Sequence, residues 1–276
     1  MKTKILLIGM KKLMKTSMVL VGVLTLASAA NAAIVFSDNF DGYADQAAFN
    51  AVWNVATVGG GGTLSTEQAF SGSQSIKQDL TAKASGHDIT PVFGLDVQPL
   101  VWSFRFYDST QANNLRQFGA LRDATPALAQ LVAMGAYNDT TLTMDRYTGL
   151  SVTAADLNTY YAVRVAFAPG PNWFILNGPN APTRSTGWHE LKAVFGDTTA
   201  EFYVDGVNAL SGLTTSYASA AGAITFDRVL VGSGLSSANG VGYYDDVMVQ
   251  VVPEPSTWGL MLLAVLVGAV RRVRAK

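Results

Sequence analysis

Between residues 33 and 251 the sequence changes character every second residue, and it breaks at short intervals on glycine, asparagine, aspartate or proline. No helical period of apolar residues is sustained there. A period of two is the signature of a strand with one face buried. The run Val101-Trp-Ser-Phe-Arg-Phe106 states it most plainly: Trp102, Phe104 and Phe106 share one face and Arg105 takes the other. The same reading predicts strands over 34–40, 52–58, 75–80, 88–93, 100–107, 117–121, 130–137 and 141–146, with one short helical turn over 45–51. With no repeat of fixed period and no long linker, the ~220 residues fit a single all-β domain of two packed antiparallel sheets.

Charge and cysteine content narrow the environment. Nine of the 19 basic residues lie near the two ends, which leaves ten against 19 carboxylates in 33–251, a formal −9. Such a body repels nucleic acid and anionic lipid and suits a soluble extracellular protein. Cysteine is absent, so the fold must be held by its core, which a domain of this size can supply.

The two ends are addresses. Lys2, Lys4, Lys11, Lys12 and Lys15 precede an apolar stretch over 18–26, and Ala30-Asn31-Ala32 fits a small-x-small cleavage site, with Ala27-Ser28-Ala29 competing. Residues 1–32 are therefore expected to be a signal peptide. At the other end, Val252-Pro253-Glu254-Pro255-Ser256-Thr257 breaks regular structure ahead of the uncharged run 258–270. As a helix that run would be about 20 Å long, against a hydrocarbon core of about 30 Å. Trp258 at the interface and Arg271, Arg272 and Arg274 beyond it make 258–270 an expected transmembrane helix, with the arginines stopping transfer on the cytoplasmic side. Proline-glutamate-proline, short apolar helix and arginine-rich end together resemble the PEP-CTERM sorting signal of Gram-negative bacteria that make exopolysaccharide. That resemblance implies an exported chain held in the inner membrane at 252–276. An exosortase-type enzyme would recognise Pro253, Glu254 and Pro255 and release the chain to the cell surface.

Within the domain, Trp188-His-Glu-Leu-Lys-Ala-Val-Phe195 alternates as a strand, Gly196-Asp197 turns, and Ala200-Glu-Phe-Tyr-Val204 runs into Asp205-Gly206, a favoured two-residue hairpin turn. With Phe36-Ser-Asp-Asn-Phe-Asp41 and Gly242-Tyr-Tyr-Asp-Asp-Val-Met-Val249, this pattern resembles the laminin-G-like and pentraxin-like members of the concanavalin A-like superfamily. The resemblance implies a jelly-roll sandwich over 33–251 whose first and last strands pair.

Chemistry is sparser. A retaining glycanase needs two carboxylates about 5 Å apart, and the Glu-x-Asp-x-x-Glu string of jelly-roll glucanases is missing. The domain's three glutamates, Glu67, Glu190 and Glu201, are widely spaced, although the last two could approach across the hairpin. His87 and His189 lack partners at metal-ligand spacing. Gly59 to Gly62 is a connector, not a phosphate cradle, because no Lys-Ser/Thr or helix start follows. Aspartate dominates the acids, and carboxylate oxygen suits calcium. Pairing of the end strands would bring Asp38 and Asp41 near Asp245 or Asp246, the expected place for a structural calcium. For sugar, aromatic faces on loops are needed; Trp173 after Gly170-Pro-Asn is the foremost candidate, with Tyr137 and the Tyr243-Tyr244 pair behind it. Trp53, Trp102, Trp188, Phe195 and Phe202 are expected in the core. Three classes stay open: a non-catalytic surface or matrix protein associating with exopolysaccharide in biofilm, a dedicated glycan-binding lectin, and a polysaccharide-active glycoside hydrolase.

Overall fold

The computed structural model describes residues 33–55, 60–79, 84–94, 100–109, 116–123, 129–137, 143–145, 149–165, 173–196, 199–214, 225–232 and 240–252. The signal peptide expected over 1–32, the Pro253-Glu254-Pro255 tripeptide, the expected membrane helix 258–270 and the arginines at 271, 272 and 274 lie outside them.

Two sheets face each other. The first has β6 (Leu100–Asp108) near its middle, flanked by β12 (Gly187–Phe195) and β16 (Gly242–Val251). Outward from β12 come β13 (Thr199–Val204) and β14 (Val207–Thr214). Outward from β16 come β4 (Ser75–Gln78) and β3 (Thr63–Ser65). The opening strand β1 (Ala33–Asp38) pairs with β16, so first and last strands do meet, as the resemblance implied. The second sheet runs β2 (Asn54–Val55), β5 (Ala84–Gly94), β15 (Thr225–Gly232), β7 (Arg116–Asp123), β8 (Ala129–Tyr137), β10 (Ala162–Val165), β11 (Trp173–Ile175) and β9 (Thr143–Met144). Every pairing with a described register is antiparallel except that of β9 with β11.

The core follows from the alternation. In β6 the side chains of Trp102, Phe104 and Phe106 are at most 1% exposed, and Arg105 and Tyr107 point the other way. In β12 the buried set is His189, Leu191, Ala193 and Phe195. From the second sheet, Leu121, Val132, Met134, Val163, Val229 and Val231 meet them. Gly119 is a close-approach site: a Cβ there would stand 2.7 Å from the Phe104 ring. Burying an aromatic of this size stabilises by roughly 1.5–3 kcal/mol, and the cluster holds enough of them to dispense with disulfides.

The chain between β1 and β3 closes one end. Asp38 accepts from the backbone N–H of Phe40 at 2.7 Å, from the Tyr43 hydroxyl at 2.5 Å and from Trp53 Nε1 at 2.8 Å. Phe40 is fully buried at a φ of 64°, a left-handed conformation unusual for a bulky residue, and the Asp38 acceptor fixes it there. Helix α1 (Gln46–Val52) matches the helical turn expected over 45–51; Asp45 caps it by accepting from Ala48 N–H at 2.8 Å.

Several expectations are corrected. Trp188 is not in the core: buried His189 fixes the parity of β12, so Trp188 must face outward. His87 stands in strand β5 and stacks on Phe36 with ring centroids 4.6 Å apart. Strand 52–58 shrinks to Asn54–Val55 among the described residues because α1 runs on to Val52. A second short helix, α2 (Ala154–Thr159), was not expected. Its capping box, formed by Thr153 and Asp156, was legible as Thr-x-x-Asp, and its buried Leu157 joins a smaller apolar cluster with Phe118, Tyr137, Trp173 and Leu230.

Candidate functional site

Parity puts a row of aromatics on the outer face of the first sheet. Trp188 on β12 stands opposite Tyr107 on β6, Tyr107 opposite Tyr243 on β16, and Tyr243 opposite Lys77 on β4. Direct cross-strand partners share a face, so the four side chains form one line running across the strands. The rings meet edge to face: Trp188–Tyr107 centroids are 5.6 Å apart at 74°, and Tyr107–Tyr243 centroids 5.7 Å apart at 89°. Each such pair contributes about 0.5–1.5 kcal/mol beyond its buried area. The row is therefore rigid before any ligand arrives.

A loop lays one more ring on this row. Phe70, 44% exposed, packs edge-on against Trp188 at 5.9 Å, and the Arg105 guanidinium lies 4.3 Å from the Phe70 centroid. Asp245, fully buried at the β16 bulge, holds the loop by accepting from the N–H of Phe70 at 2.8 Å and of Ser71 at 3.1 Å. Asp246, at a φ of 44°, accepts from the Ser71 hydroxyl at 2.7 Å. Burial pushes the Asp245 carboxyl up to about 6, against three backbone N–H donors that favour its charge. Beside the row a groove of about 750 Å³ opens between the sheet face and the β1 end, lined by Ser37, Asn39, Ser103, Arg105, Glu190 and Asp246 among others. Arg105 lines the groove and lies against the Phe70 ring.

The carboxylates expected to hold calcium are only partly brought together. Asp38 and Asp246 both reach the groove. Asp38, however, is filled by the three donors named above, and Asp41 by the N–H groups of Ser73 at 2.8 Å and Gln74 at 3.3 Å. Asp245 and Asp246 serve the 70–71 loop. Among the described residues, no three histidine or acidic side chains stand close enough to hold a metal. All four carboxylates are thus engaged by N–H or O–H donors of the protein itself.

Trp173 stands in β11 and is 7% exposed, its ring stacked flat on Tyr137 at 4.0 Å and 11°. The structure thus joins two of the aromatics singled out in the sequence, but to each other. Glu190 and Glu201 do not converge: Glu201 is opposite Val194, Glu190 lies 3.7 Å from Arg105, and the Tyr203 hydroxyl donates to Glu201 at 2.5 Å.

His189 does more than the sequence suggested. Its Nδ1 lies 2.7 Å from Asp205 Oδ2, and its Nε2 lies 2.9 Å from the Ser185 carbonyl and 3.2 Å from Ser185 Oγ. Serine, histidine and aspartate in this order are the residue types of a nucleophilic triad. A carbonyl oxygen can only accept, so at 2.9 Å Nε2 carries a proton and offers the hydroxyl no lone pair. The trio is a clamp that ties the Asp205-Gly206 turn to the 185 segment. The Asp205 hydrogen bond raises the His189 pKa against the burial that lowers it. Next to it Arg184 makes a buried fork with Asp108, Nε to Oδ2 at 2.8 Å and Nη2 to Oδ1 at 3.0 Å.

These features define an all-β sandwich carrying an aromatic outer face. Residues 251–275 are a PEP-CTERM protein-sorting motif, which marks the chain as exported and implies exosortase-dependent processing. None of the curated proteins matches it in sequence. Among solved structures, a carbohydrate esterase of the Shiga toxin-encoding bacteriophage phi24B is similar at a TM-score of 0.51 and 15% identity, over 81% of this chain and 100% of that one. The globular domain of T. cruzi calreticulin gives 0.49 at 10% identity over 78% and 87%, and the cellulose-induced protein Cip1 gives 0.47 at 15% over 78% and 96%. At such identity the first is a likeness of fold alone, and the other two fall below the score at which fold is argued.

Proposed function

We propose that this chain is a non-catalytic surface or extracellular matrix protein. On this reading helix 258–270 holds it in the inner membrane after export, an exosortase-type enzyme acts at Pro253-Glu254-Pro255, and the sandwich is delivered to the cell surface, where it associates with exopolysaccharide in biofilm. The observation that carries the reading is the sorting motif, which begins at Val251, the last residue of β16. No sequence is left over between the strand that closes the sandwich and the signal that directs its fate, so the sandwich is the delivered cargo.

The test is fractionation of producing cells. The mature chain is expected in the outer or extracellular fraction of cells with an active exosortase-type enzyme, and a membrane-bound precursor is expected when that enzyme is removed or when Pro253 and Pro255 are replaced by alanine. A chain found in the cytoplasm, or one whose distribution ignores both changes, would overturn the reading.

A further inference from the structure

The geometry points to the outer face of the first sheet as a binding site for an uncharged glycan chain, lying across the strands on Trp188 and Tyr107, with Phe70 as a wall and buried Tyr243 bracing Tyr107 from its side. This deepens the proposed association with exopolysaccharide by naming its site and the class of sugar polymer. Nothing in the sandwich core requires these rings. They are the outward half of strands whose inward half already fills the interior: Trp188 and Tyr107 are half-buried, Phe70 leaves 44% of its surface in water, and Tyr243, 7% exposed, acts as their support.

Sugar rings carry patches of C–H surrounded by hydroxyls. An aromatic face covers the C–H patch, and short polar groups beside it take the hydroxyls. Both components are present. Trp188 and Tyr107 supply aromatic surface with ring centroids 5.6 Å apart, and the neighbouring groove supplies Ser37, Asn39, Ser103 and Glu190. Because the rings brace one another and Asp245 pins the Phe70 loop, binding requires little further ordering.

Charge selects the class of glycan. The three glutamates of the domain all fall on this face, and each is matched locally. Glu67 pairs with Lys77 at 2.8 Å and Glu190 with Arg105 at 3.7 Å. Glu201 accepts from Tyr203, over whose ring Lys192 lies at 4.6 Å. A polyanion such as a uronate polymer would have to break these pairs and approach a body of net −9. A neutral chain meets them as hydrogen-bonding partners without that cost.

The full chain, solubilised in a detergent without a sugar headgroup, is titrated with cellohexaose and laminarihexaose as neutral probes and with an oligo-alginate as the anionic one. Saturable binding of a neutral hexasaccharide is expected. Trp188→Ala and Phe70→Ala are each expected to weaken it at least tenfold, with unchanged circular dichroism and a tyrosine and tryptophan fluorescence change on binding in the wild type alone. Phe70 is exposed enough that its variant folds even if Trp188→Ala does not. Binding unaffected by both substitutions, binding of the alginate alone, or no binding by a folded sample would each overturn the assignment. Failure here leaves the fractionation result above untouched, so the two readings fail separately.

Discussion

Asp245 reaches across 175 positions of sequence to accept the backbone N–H of Phe70 at 2.8 Å, from a carboxylate with no exposed surface. A buried acceptor serving a loop fixes the position of that loop more firmly than any apolar contact on its exposed side. Replacing Asp245 by alanine leaves the N–H groups of Phe70 and Ser71 without this partner, at a cost of about 1–3 kcal/mol for stranded donors. The expected result is a fall in Tm of several degrees together with loss of the Phe70–Trp188 contact. Faster amide hydrogen exchange over 68–73 would report it directly, and unchanged exchange there would contradict the role given to Asp245.

Stability is expected to decline as pH rises from about 5 to 8. Two groups drive this in the same direction. The Asp245 carboxyl, raised to about 6 by burial, contributes stability that is present below its unfolded value near 4 and lost as pH rises through 6. His189, raised by its bond to Asp205, contributes stability that is complete below about 6.5 and lost as pH climbs through its higher folded value. Asp205 acts oppositely at the acid end: burial works against its charge, but the bonds from His189 and from the Glu190 N–H hold its pKa low, so its share is lost as pH falls below 4. Calorimetric melting from pH 4 to 8 checks the profile. Asp245→Asn should flatten the lower part and His189→Gln the upper part; a Tm that rises between pH 5 and 8 would refute both assignments.

The same clamp predicts chemical silence at Ser185. The purified protein should not release nitrophenolate from p-nitrophenyl acetate above background, nor label with a fluorophosphonate, because His189 Nε2 spends its proton on the Ser185 carbonyl. Labelling that disappears in Ser185→Ala would instead make the trio a working nucleophile.

Arg184 and Asp108 are almost wholly buried as a pair, 2% and 0% exposed. Arg184→Met strands the carboxylate in the interior and should cost about 3–5 kcal/mol, a large share of the ~5–15 kcal/mol typical of a domain. Adding Asp108→Leu should recover much of the loss, since a buried pair is often replaceable by packed apolar groups. Urea melts of the wild type and the two variants measure this. If the double variant is no better than Arg184→Met, the fork is not acting through charge burial.

Calcium is expected to do nothing for stability. The carboxylates of Asp38, Asp41, Asp245 and Asp246 all receive N–H or O–H donors, so EDTA should leave Tm unchanged. A rise of several degrees on adding millimolar calcium would restore the cation site that the sequence suggested.

The sequence determined the class of fold and the export of the chain. Alternation in 101–106 and 188–195 and the Asp-Gly turn at 205–206 are local facts, since the pleat and the turn each depend on neighbours within a few residues, and the strands and hairpin stand where the sequence predicts them. The sorting motif is equally local, being one contiguous stretch at residues 251–275. Tertiary structure decided everything that depends on which face of a strand points outward and on which strands lie side by side. A tryptophan in a strand usually packs in the core; only the burial of His189 beside Tyr161 turns Trp188 to the outer face. Tyr107 and Tyr243 lie 136 residues apart and face each other only because β6 and β16 are adjacent. Asp245 anchors the Phe70 loop because the tertiary fold lays that backbone against its carboxylate. Pairing across long loops is a property of the whole chain's packing, and no local pattern encodes it.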